Sequence, residues 1–134
     1  MTAGRAQVLR VQHVSLPFPG TPESVEAARH FYGEILRLEE YPRPPLLPGV
    51  GIWYAVGDQE LHLFSEPDGV AANPRSRRHP CFQVDDVAAL RANLEAAGVT
   101  TRDDDGEIPG RLRFFAVDPF ENTLELVQFE ANHW

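Results

Sequence analysis

The sequence predicts an α+β fold in which two βαβββ modules, related by a pseudo-twofold axis, form a curved mixed sheet. Three observations lead to this prediction. Residues 54–63 recur with variation as residues 115–126, and the second copy has two extra residues at its turn. A strand-like stretch with one histidine lies upstream of each copy, at residues 10–16 and 78–84. Both halves also fit the order of a strand, a helix and three strands, as expected for a unit that occurs twice.

The first module is expected to begin with a strand and a helix and to end with a hairpin. Thr21 supplies a capping hydroxyl and Pro22 suits the first helical position, after which apolar residues recur at helical spacing. Gly57 and Asp58 form a dipeptide suited to a tight turn between strands. The predicted elements are a strand at 8–16 ended by 17–20, a helix from 22 to about 37, and strands at 39–41, 51–56 and 59–64.

The second module repeats this order. Asp85 or Asp86 can cap its helix, and Gly98 can end it. The predicted elements are a strand at 79–84, a helix from 87 to about 97, and strands at 99–102, 111–117 and 122–129. Residues 65–78 contain prolines and a glycine without periodicity, so we expect a surface linker between the modules.

Length and composition indicate one domain. The chain has 134 residues, of which 43% are hydrophobic, enough for a core of ordinary size. We therefore expect a single domain over residues 1–134, with module one at about 8–66 and module two at about 77–130. The single cysteine, Cys81, cannot form an intramolecular disulfide, and its apolar neighbours predict a buried core position.

Charge and hydropathy limit the possible partners. The 20 acidic and 12 basic residues give a formal charge of −8, which disfavours nucleic acid because no basic patch remains to contact phosphates. The sequence contains no apolar stretch of the length of a transmembrane segment or a signal core. We therefore expect no membrane association and a cytoplasmic location.

Four side chains occupy equivalent positions in the two copies, namely His13 and His62 in the first and His79 and Glu125 in the second. The spacings are similar, 49 residues from His13 to His62 and 46 from His79 to Glu125. Strand alternation places the leucines beside His62 and Glu125 on the core side, so these two residues line the open, concave side. Imidazoles and a carboxylate suit a first-row divalent metal ion, which would make that side a metal-binding bowl.

Each of these residues also has a simpler interpretation. A lone histidine in a strand is commonly a core or surface residue, and the four side chains together could form a buried polar network without metal. Their recurrence at equivalent positions favours the metal. His30 and His133 have no counterpart in the repeat, and we expect both to be structural or exposed.

Three segments carry a resemblance to a known family. They are His-Pro-Cys-Phe-Gln-Val-Asp-Asp at 79–86, Phe-Phe-Ala-Val-Asp-Pro-Phe-Glu-Asn-Thr-Leu-Glu-Leu-Val at 114–127, and Ala-Arg-His-Phe-Tyr-Gly-Glu-Ile-Leu at 28–36. Together they resemble the vicinal oxygen chelate superfamily, which includes glyoxalase I, methylmalonyl-CoA epimerase, extradiol dioxygenases, and fosfomycin- and bleomycin-resistance proteins. The resemblance spans residues 8–130 and is more specific for the fold than for the reaction.

The resemblance implies that the family's metal positions fall on His13, His62, His79 and Glu125, with Glu125 and His62 as catalytic residues. It implies a divalent cofactor, which could be Fe, Mn, Ni, Co or Zn. Where glyoxalase I has glutamate this chain has His62, so the paired carboxylates that move a proton are incomplete. Glu121 replaces the glycine of the family's last turn. If His62 stays off the metal, the other three form a two-histidine, one-carboxylate set that suits Fe(II) with a bidentate substrate and dioxygen.

We therefore expect a metal-dependent enzyme of the glyoxalase or dioxygenase type that acts on a small molecule with vicinal oxygens, as an isomerase, lyase or dioxygenase. The alternatives are a drug-binding protein of the bleomycin-resistance type without catalysis and a thiol transferase of the fosfomycin-resistance type. Short strands with free edges and an incomplete bowl predict a homodimer. The site could be built within one chain or between two.

Further polar and aromatic side chains are candidates for the surroundings of the site. Arg111 and Arg113 share a strand face and could clamp an anionic group of the substrate, or they could be residues of a solvated strand edge. Trp53, Tyr54 and Phe115 lie on neighbouring strands, where aromatic residues more often belong to the core than to a pocket lining.

Overall fold

The computed structural model describes residues 4–66 and 75–131. Across these residues the elements are, in chain order, β1 (His13–Phe18), α1 (Pro22–Ala28) with a π-helical continuation (Arg29–Ile35), β2 (Glu39–Tyr41), β3 (Gly51–Val56), β4 (Gln59–Ser65), β5 (Cys81–Gln83), α2 (Val87–Ala96), β6 (Thr101–Arg102), β7 (Arg111–Val117) and β8 (Thr123–Phe129). The order strand, helix, three strands therefore occurs twice, which confirms the predicted α+β fold of two βαβββ modules.

Within the described residues the strands form two four-stranded mixed sheets, ordered β1-β4-β3-β2 and β5-β8-β7-β6. In each sheet the first strand of the module runs parallel to the last, and the other neighbours are antiparallel. Strands β1 and β5 each lie at one edge of their sheet. The two modules therefore share the same topology as well as the same element order.

The strand registers relate the modules residue by residue. Ser15 lies opposite His62 in module one, and Cys81 lies opposite Glu125 in module two. His13 and His79 each come two residues before Ser15 and Cys81 along the chain. The spacings found in the sequence thus correspond to equivalent places in two equivalent sheets.

Strand alternation divides each sheet into a buried side and an open side. The leucines that flank His62 and Glu125 are at most 1% exposed; they are Leu61, Leu63, Leu124 and Leu126. They belong to one hydrophobic core with helical residues from both modules, including Phe31, Tyr32 and Leu94. His62 and Glu125 consequently lie on the other side of their strands, as alternation predicts.

The predicted caps and turns are confirmed. The side chains of Thr21 and Asp86 each accept a hydrogen bond from the amide three residues further on, at 3.2 Å and 3.0 Å. These bonds satisfy amides that have no partner within the first turn of a helix. Gly57 in the hairpin and Gly98 after α2 have φ values of 58° and 82°, in the left-handed region that favours glycine.

The first helix differs from the prediction of one regular helix ending near residue 37. After Ala28 the winding is π-helical, and the Leu36 amide donates to the Phe31 carbonyl five residues earlier, at 2.9 Å. Phe31 and Tyr32 are adjacent in sequence, yet both belong to the buried core. The demands of core packing therefore override the simple helical periodicity of this segment.

Several strand boundaries also differ from the prediction, among them those of β1 and β5. Strand β1 begins at His13 rather than at residue 8, and Val8 and Leu9 before it are 95% and 88% exposed. It continues through Pro17, which an edge strand tolerates because one of its sides needs no amide donor. Strand β5 contains Cys81–Gln83, so His79 precedes the strand instead of lying within it.

A buried carboxylate connects the modules. Asp118, in the turn between β7 and β8, accepts a hydrogen bond from the Tyr32 hydroxyl at 2.6 Å. Asn122 donates to the Asp118 carboxylate at 2.8 Å and to the Pro17 carbonyl at 2.9 Å. Glu121 in the same turn has a φ of 70°, so a residue with a side chain adopts here the conformation that glycine favours.

The predicted linker at 65–78 can be described only in part, because residues 67–74 lie outside the described residues, as does His133. No helix within 4–66 or 75–131 is long and apolar enough to cross a membrane. His30 is exposed, as expected, and its Nδ1 lies 2.9 Å from a carboxylate oxygen of Glu34.

Alkaline titration tests this packing, because all three tyrosines of the chain have raised pKa values. Burial, with a nearby glutamate, raises the pKa of Tyr41 and of Tyr54 to about 12. Burial and Asp118 raise the pKa of Tyr32 well above its ordinary value. Raised folded-state pKa values stabilise the fold fully below the unfolded value of about 10, and this stabilisation is lost as the pH rises through the folded values.

We therefore expect the native protein to show no phenolate absorbance at about pH 10, where the urea-unfolded chain titrates. The measurement is a spectrophotometric pH titration of both states. Titration of even one tyrosine in the native protein near the unfolded value would contradict the packing described here.

Candidate metal centre

The four predicted ligands form two pairs rather than one cluster. His13 and His62 contact each other in module one, and His79 and Glu125 lie close together in module two. In the part of the chain that the structure describes, no group of three or more His, Cys, Asp or Glu side chains is arranged to hold a metal ion. Each module therefore supplies one half of the predicted ligand set.

The pair in module one belongs to a stack of three rings. The His62 ring lies between those of Trp53 and His13, with centroid separations of 4.0 Å and 4.2 Å. Its plane is inclined by 2° to the Trp53 ring and by 21° to the His13 ring. Trp53 is the cross-strand neighbour of His62 on β3, so the sheet register places these two rings together.

Hydrogen bonds fix one nitrogen of each imidazole in this pair. His62 Nε2 lies 2.8 Å from Glu60 Oε1, and His13 Nδ1 lies 2.8 Å from Gln12 Oε1. Because carboxylate and amide oxygens are acceptors, each of these nitrogens carries the proton and donates it. The lone pairs are then on His62 Nδ1 and His13 Nε2, which are the atoms available for a metal or a substrate.

Glu60 is a site residue that the sequence analysis did not single out, although alternation places it on the same side as His62. The Tyr41 hydroxyl is buried and, among the described residues, has no hydrogen bond of regular geometry. The Tyr41 hydroxyl nevertheless lies close enough to Glu60 to lower the pKa of the Glu60 carboxyl. The hydrogen bond from His62 lowers this pKa as well. His62 is therefore oriented by an ionised carboxylate.

The ring stack restricts how His13 and His62 can bind one ion. An imidazole lone pair lies in the plane of its ring, and two nearly parallel planes with centroids 4.2 Å apart do not converge on a nearby point. One ring must turn before both nitrogens can reach the same ion. His62 is covered on both faces and bound at Nε2, whereas His13 is exposed. His13 is consequently the ring that is freer to turn.

The pair in module two has a simpler geometry. His79 Nδ1 donates to the Arg77 carbonyl at 2.9 Å, which leaves the lone pair on Nε2, 3.9 Å from Glu125 Oε2. Phe115, the cross-strand neighbour of Glu125, meets the His79 ring edge to face at 5.1 Å. A metal about 2.1 Å from each atom would hold them about 3 to 3.5 Å apart, so a small side-chain rotation would bring both atoms to one ion.

Glu125 is held by two further residues. Arg113 Nη1 donates to Glu125 Oε1 at 2.7 Å, and the Cys81 thiol is a second hydrogen-bonding partner of the carboxylate. Burial would raise the pKa of Glu125, but these bonds and the charges of Arg113 and His79 hold it below its usual value. Glu125 is therefore ionised, which is the form that binds metal.

The prediction that Cys81 is a buried core residue is wrong. The residue is exposed, and it lies opposite Glu125 on the parallel strand pair. Alternation along β5 therefore places the thiol on the side of the site, not in the core. The thiol is nevertheless partly shielded from solvent, and this desolvation, together with its bond to Glu125, raises the pKa of Cys81 to about 12.

The two arginines considered as an anion clamp have different surroundings. Arg113 forms ion pairs with Glu125 and with Asp104, so it helps to fix the position of Glu125. The Arg111 guanidinium lies 5.1 Å from the centroid of the Phe129 ring. Of the aromatic candidates, Trp53 and Phe115 contact the site histidines, whereas Tyr54 is fully buried in the core.

A cleft of about 910 Å³ lies between the two modules. Its walls include residues of both edge strands, such as Val14 of β1 and Phe82 of β5. Glu60 of module one and Cys81 of module two also line it, whereas none of the four predicted ligands is among its lining residues.

The donor atoms suit a first-row divalent metal. The set consists of three imidazole nitrogens and one carboxylate, and each ligand has a second polar atom bound elsewhere. Those outer partners are Gln12 for His13, Glu60 for His62, the Arg77 carbonyl for His79 and Arg113 for Glu125. Partners of this kind orient metal ligands in proteins. The donor types therefore suit such a metal, and a complete set needs both halves.

Comparison with known proteins gives one family and several similar structures. The family model described as the Glyoxalase/Bleomycin resistance protein/Dioxygenase superfamily matches residues 11–126. The chain is similar to a crystal structure of a proposed glyoxalase family protein from Bacillus anthracis, at 34% identity and a TM-score of 0.81, covering 94% of this chain and 99% of that one. Among the curated proteins there is no match.

Two more distant structures share the fold. The genomically encoded fosfomycin resistance protein FosX from Listeria monocytogenes is 14% identical, with a TM-score of 0.71 and coverage of 93% of this chain and 97% of that one. Lactoylglutathione lyase from Agrobacterium tumefaciens is 23% identical, with a TM-score of 0.66 and coverage of 93% and 97%. At these identities the likeness concerns the fold alone.

Proposed function

The chain belongs to the Glyoxalase/Bleomycin resistance protein/Dioxygenase superfamily, and we propose that it is a metal-dependent enzyme acting on a small molecule with two adjacent oxygens. One observation carries this proposal: each of the four predicted ligands has one polar atom fixed by an outer hydrogen bond, which leaves another donor atom available. A histidine with only a structural role has no need to recur in this way at equivalent positions. When bound, a divalent ion supplies a Lewis acid that polarises both substrate oxygens.

Each complete site, in this proposal, is shared by two chains of a homodimer. The two ligand pairs lie on different modules and form no common cluster within the described residues. Strands β1 and β5 are edge strands, at which a second chain can pair, and the apolar side chains of Val8 and Leu9 next to β1 are exposed. A twofold dimer that brings module one of each chain to module two of the other contains two equivalent sites.

The proposed metal ligands are His13, His79 and Glu125. Their outer bonds leave His13 Nε2, His79 Nε2 and Glu125 Oε2 available. The sequence predicts His62 as a fourth ligand, but its place between two rings and its bond to Glu60 favour a position beside the metal. A two-histidine, one-carboxylate set leaves open positions for a bidentate substrate and dioxygen, so this arrangement favours a dioxygenase over an isomerase.

His62 is then assigned to the substrate. Its Nε2–H remains on Glu60, and its Nδ1 can accept a hydrogen bond from a substrate hydroxyl. A histidine whose other nitrogen is bound to a carboxylate is fixed in one tautomer and suited to proton transfer. Glu125, the other predicted catalytic residue, acts in this proposal through the metal.

A drug-binding protein without catalysis is the second candidate, and the cleft between the modules favours it. A volume of about 910 Å³ is sufficient for a drug-sized molecule, and its walls include several apolar side chains. The net charge of −8 would suit a cationic drug. Such a protein has no use for oriented metal ligands, so metal binding separates the two functions.

Mixing two defective variants tests both the metal and its sharing between chains. We expect wild-type protein to bind about one Co(II) per chain, and His13→Ala or Glu125→Ala alone to bind at least about 100-fold more weakly, since losing a ligand should exceed the loss of 10- to 100-fold typical of outer partners. In refolded equimolar mixtures, half of the dimers combine both variants and each holds one intact site. About one quarter of the wild-type sites should therefore be recovered.

The matched control is His30→Ala, which removes an exposed histidine that contacts Glu34 and should leave Co(II) affinity unchanged. Light scattering on the same samples reports the dimer. If the mixture binds no more Co(II) than the sum of its components while wild type binds well, the site lies within one chain. If wild type binds no Co(II) at all, the proposed enzyme is excluded in favour of the drug-binding protein.

His62→Ala tests the reaction class. Since Trp53, His13 and Glu60 hold the ring away from the metal in this proposal, we expect Co(II) affinity to change less than about threefold, compared with at least about 100-fold for His79→Ala. With Fe(II) and a catechol, wild type should consume dioxygen and cleave the ring, and His62→Ala should lose this activity while retaining iron. Equal loss of metal in both variants would instead make His62 a ligand and favour the isomerase.

A further inference from the structure

Arg113 connects the ligand Glu125 to the acidic loop that follows β6. Its Nη1 donates to Glu125 Oε1 at 2.7 Å, and its Nη2 donates to an Asp104 carboxylate oxygen at 2.5 Å and to the Gly106 carbonyl at 2.8 Å. The Arg113 side chain is 10% exposed and that of Glu125 is 13% exposed. A nearly buried guanidinium therefore spans two carboxylates, of which one is a proposed metal ligand.

This bond determines which oxygen Glu125 can offer. Oε1 is occupied by a charge-assisted hydrogen bond, so Oε2 is the oxygen that remains on the side of His79, 3.9 Å from Nε2. Without the guanidinium the carboxylate could rotate about its last bond and present either oxygen, or both. Arg113 thus favours a one-oxygen ligand.

Arg113 also carries an unfavourable feature that structure alone does not require. Its Nε is buried and, within the described part of the chain, has no hydrogen-bonding partner. A buried donor without a partner lowers stability, so such groups are uncommon in folded proteins. The guanidinium is oriented so that both Nη atoms form hydrogen bonds, while Nε forms none within the described residues.

The internal repeat provides an independent argument. The strand registers shift the sequence match of residue 54 with residue 115 by one residue between β3 and β7. Trp53, opposite His62 in module one, corresponds to Phe115, opposite Glu125 in module two. Two residues before Trp53 the first module has Gly51, where the second has Arg113. At Gly51 an added Cβ would lie 2.8 Å from the Leu63 carbonyl oxygen and 2.6 Å from Arg43 Nε, so module one has no room for an arginine there.

The side chain that hydrogen-bonds to the candidate ligand therefore differs between the modules, as the ligand itself does. In module one the candidate ligand is the imidazole of His62, which hydrogen-bonds to the carboxylate of Glu60. In module two Thr123 occupies the position equivalent to Glu60. Module two presents a carboxylate and backs it with a guanidinium. Each half of the site carries an outer partner of the charge that its own ligand needs.

We propose that Arg113 is a positioning residue that holds Glu125 as a one-oxygen ligand. The inference rests on the proposed function, because it requires that Glu125 bind a metal. It predicts that removing the guanidinium alters the strength and the geometry of metal binding without altering the fold.

The test compares Arg113→Met with Arg111→Met, which removes an equal charge two residues away on the same strand face. Co(II) alone is the probe, and its affinity is measured by chelator competition together with its visible absorption spectrum. We expect Arg113→Met to bind Co(II) about 10- to 100-fold more weakly, with a changed spectrum because the carboxylate geometry changes. The far-ultraviolet circular dichroism spectrum should stay that of the wild type, whereas the thermal unfolding midpoint should fall because Glu125 and Asp104 lose their charge partner. Arg111→Met and Asp104→Asn, which keep the bond to Glu125, should stay within about threefold of wild type.

Arg113→Lys keeps the charge but offers a compact ammonium that cannot span both carboxylates, and we expect an intermediate affinity and an altered spectrum. If Arg113→Met does not fold, Arg113→Lys decides the question. If folded Arg113→Met, or Arg113→Lys in its place, shows the Co(II) affinity and absorption spectrum of the wild type, the inference is overturned and the proposed metal site stands. Failure of the wild-type protein to bind Co(II) would instead overturn the proposed function, and the inference with it.

Discussion

The parallel pairing of the first and last strands within each module is the constraint on which the candidate site depends. It sets Ser15 opposite His62 and Cys81 opposite Glu125, and with them the open side of each sheet. Because side chains alternate along a strand, a slip of one residue in either pairing would move a ligand to the core side. The buried leucines next to His62 and Glu125 oppose such a slip, since it would expose them to water. Core packing and site geometry are therefore specified by the same register.

The two modules have the same strand topology but surround their candidate ligands with groups of opposite charge. In the first, stacked rings and a carboxylate hold an imidazole, and in the second, a guanidinium and a thiol hold a carboxylate. An arrangement of this kind gives the two ligands of unlike charge different surroundings while keeping their positions equivalent. In the proposed metal site neither module would be sufficient, because each supplies one pair of donors.

The sequence predicts the repeat, the faces of the strands and most element boundaries, because these follow from local alternation and turn chemistry. Strands β2, β3 and β7 have the predicted limits. The π-helical winding after Ala28 and the late start of β1 could not be predicted, since they reflect packing against distant residues and the extent of β1–β4 pairing. The same holds for the roles of Glu60, Cys81 and Arg113. Alternation indicates the side of the strand on which they lie, but their bonds to His62 and Glu125 depend on tertiary neighbours.

Anomalous X-ray diffraction from crystals grown with Co(II) tests the central claim most directly, because it locates the ion and identifies its ligands. The account predicts one ion at each of the two sites in the dimer. Each ion is bound by His13 of one chain and by His79 and Glu125 of the other. His62 should remain stacked on Trp53. An ion held by residues of a single chain, or the absence of any ion at these side chains in the presence of excess Co(II), would contradict it.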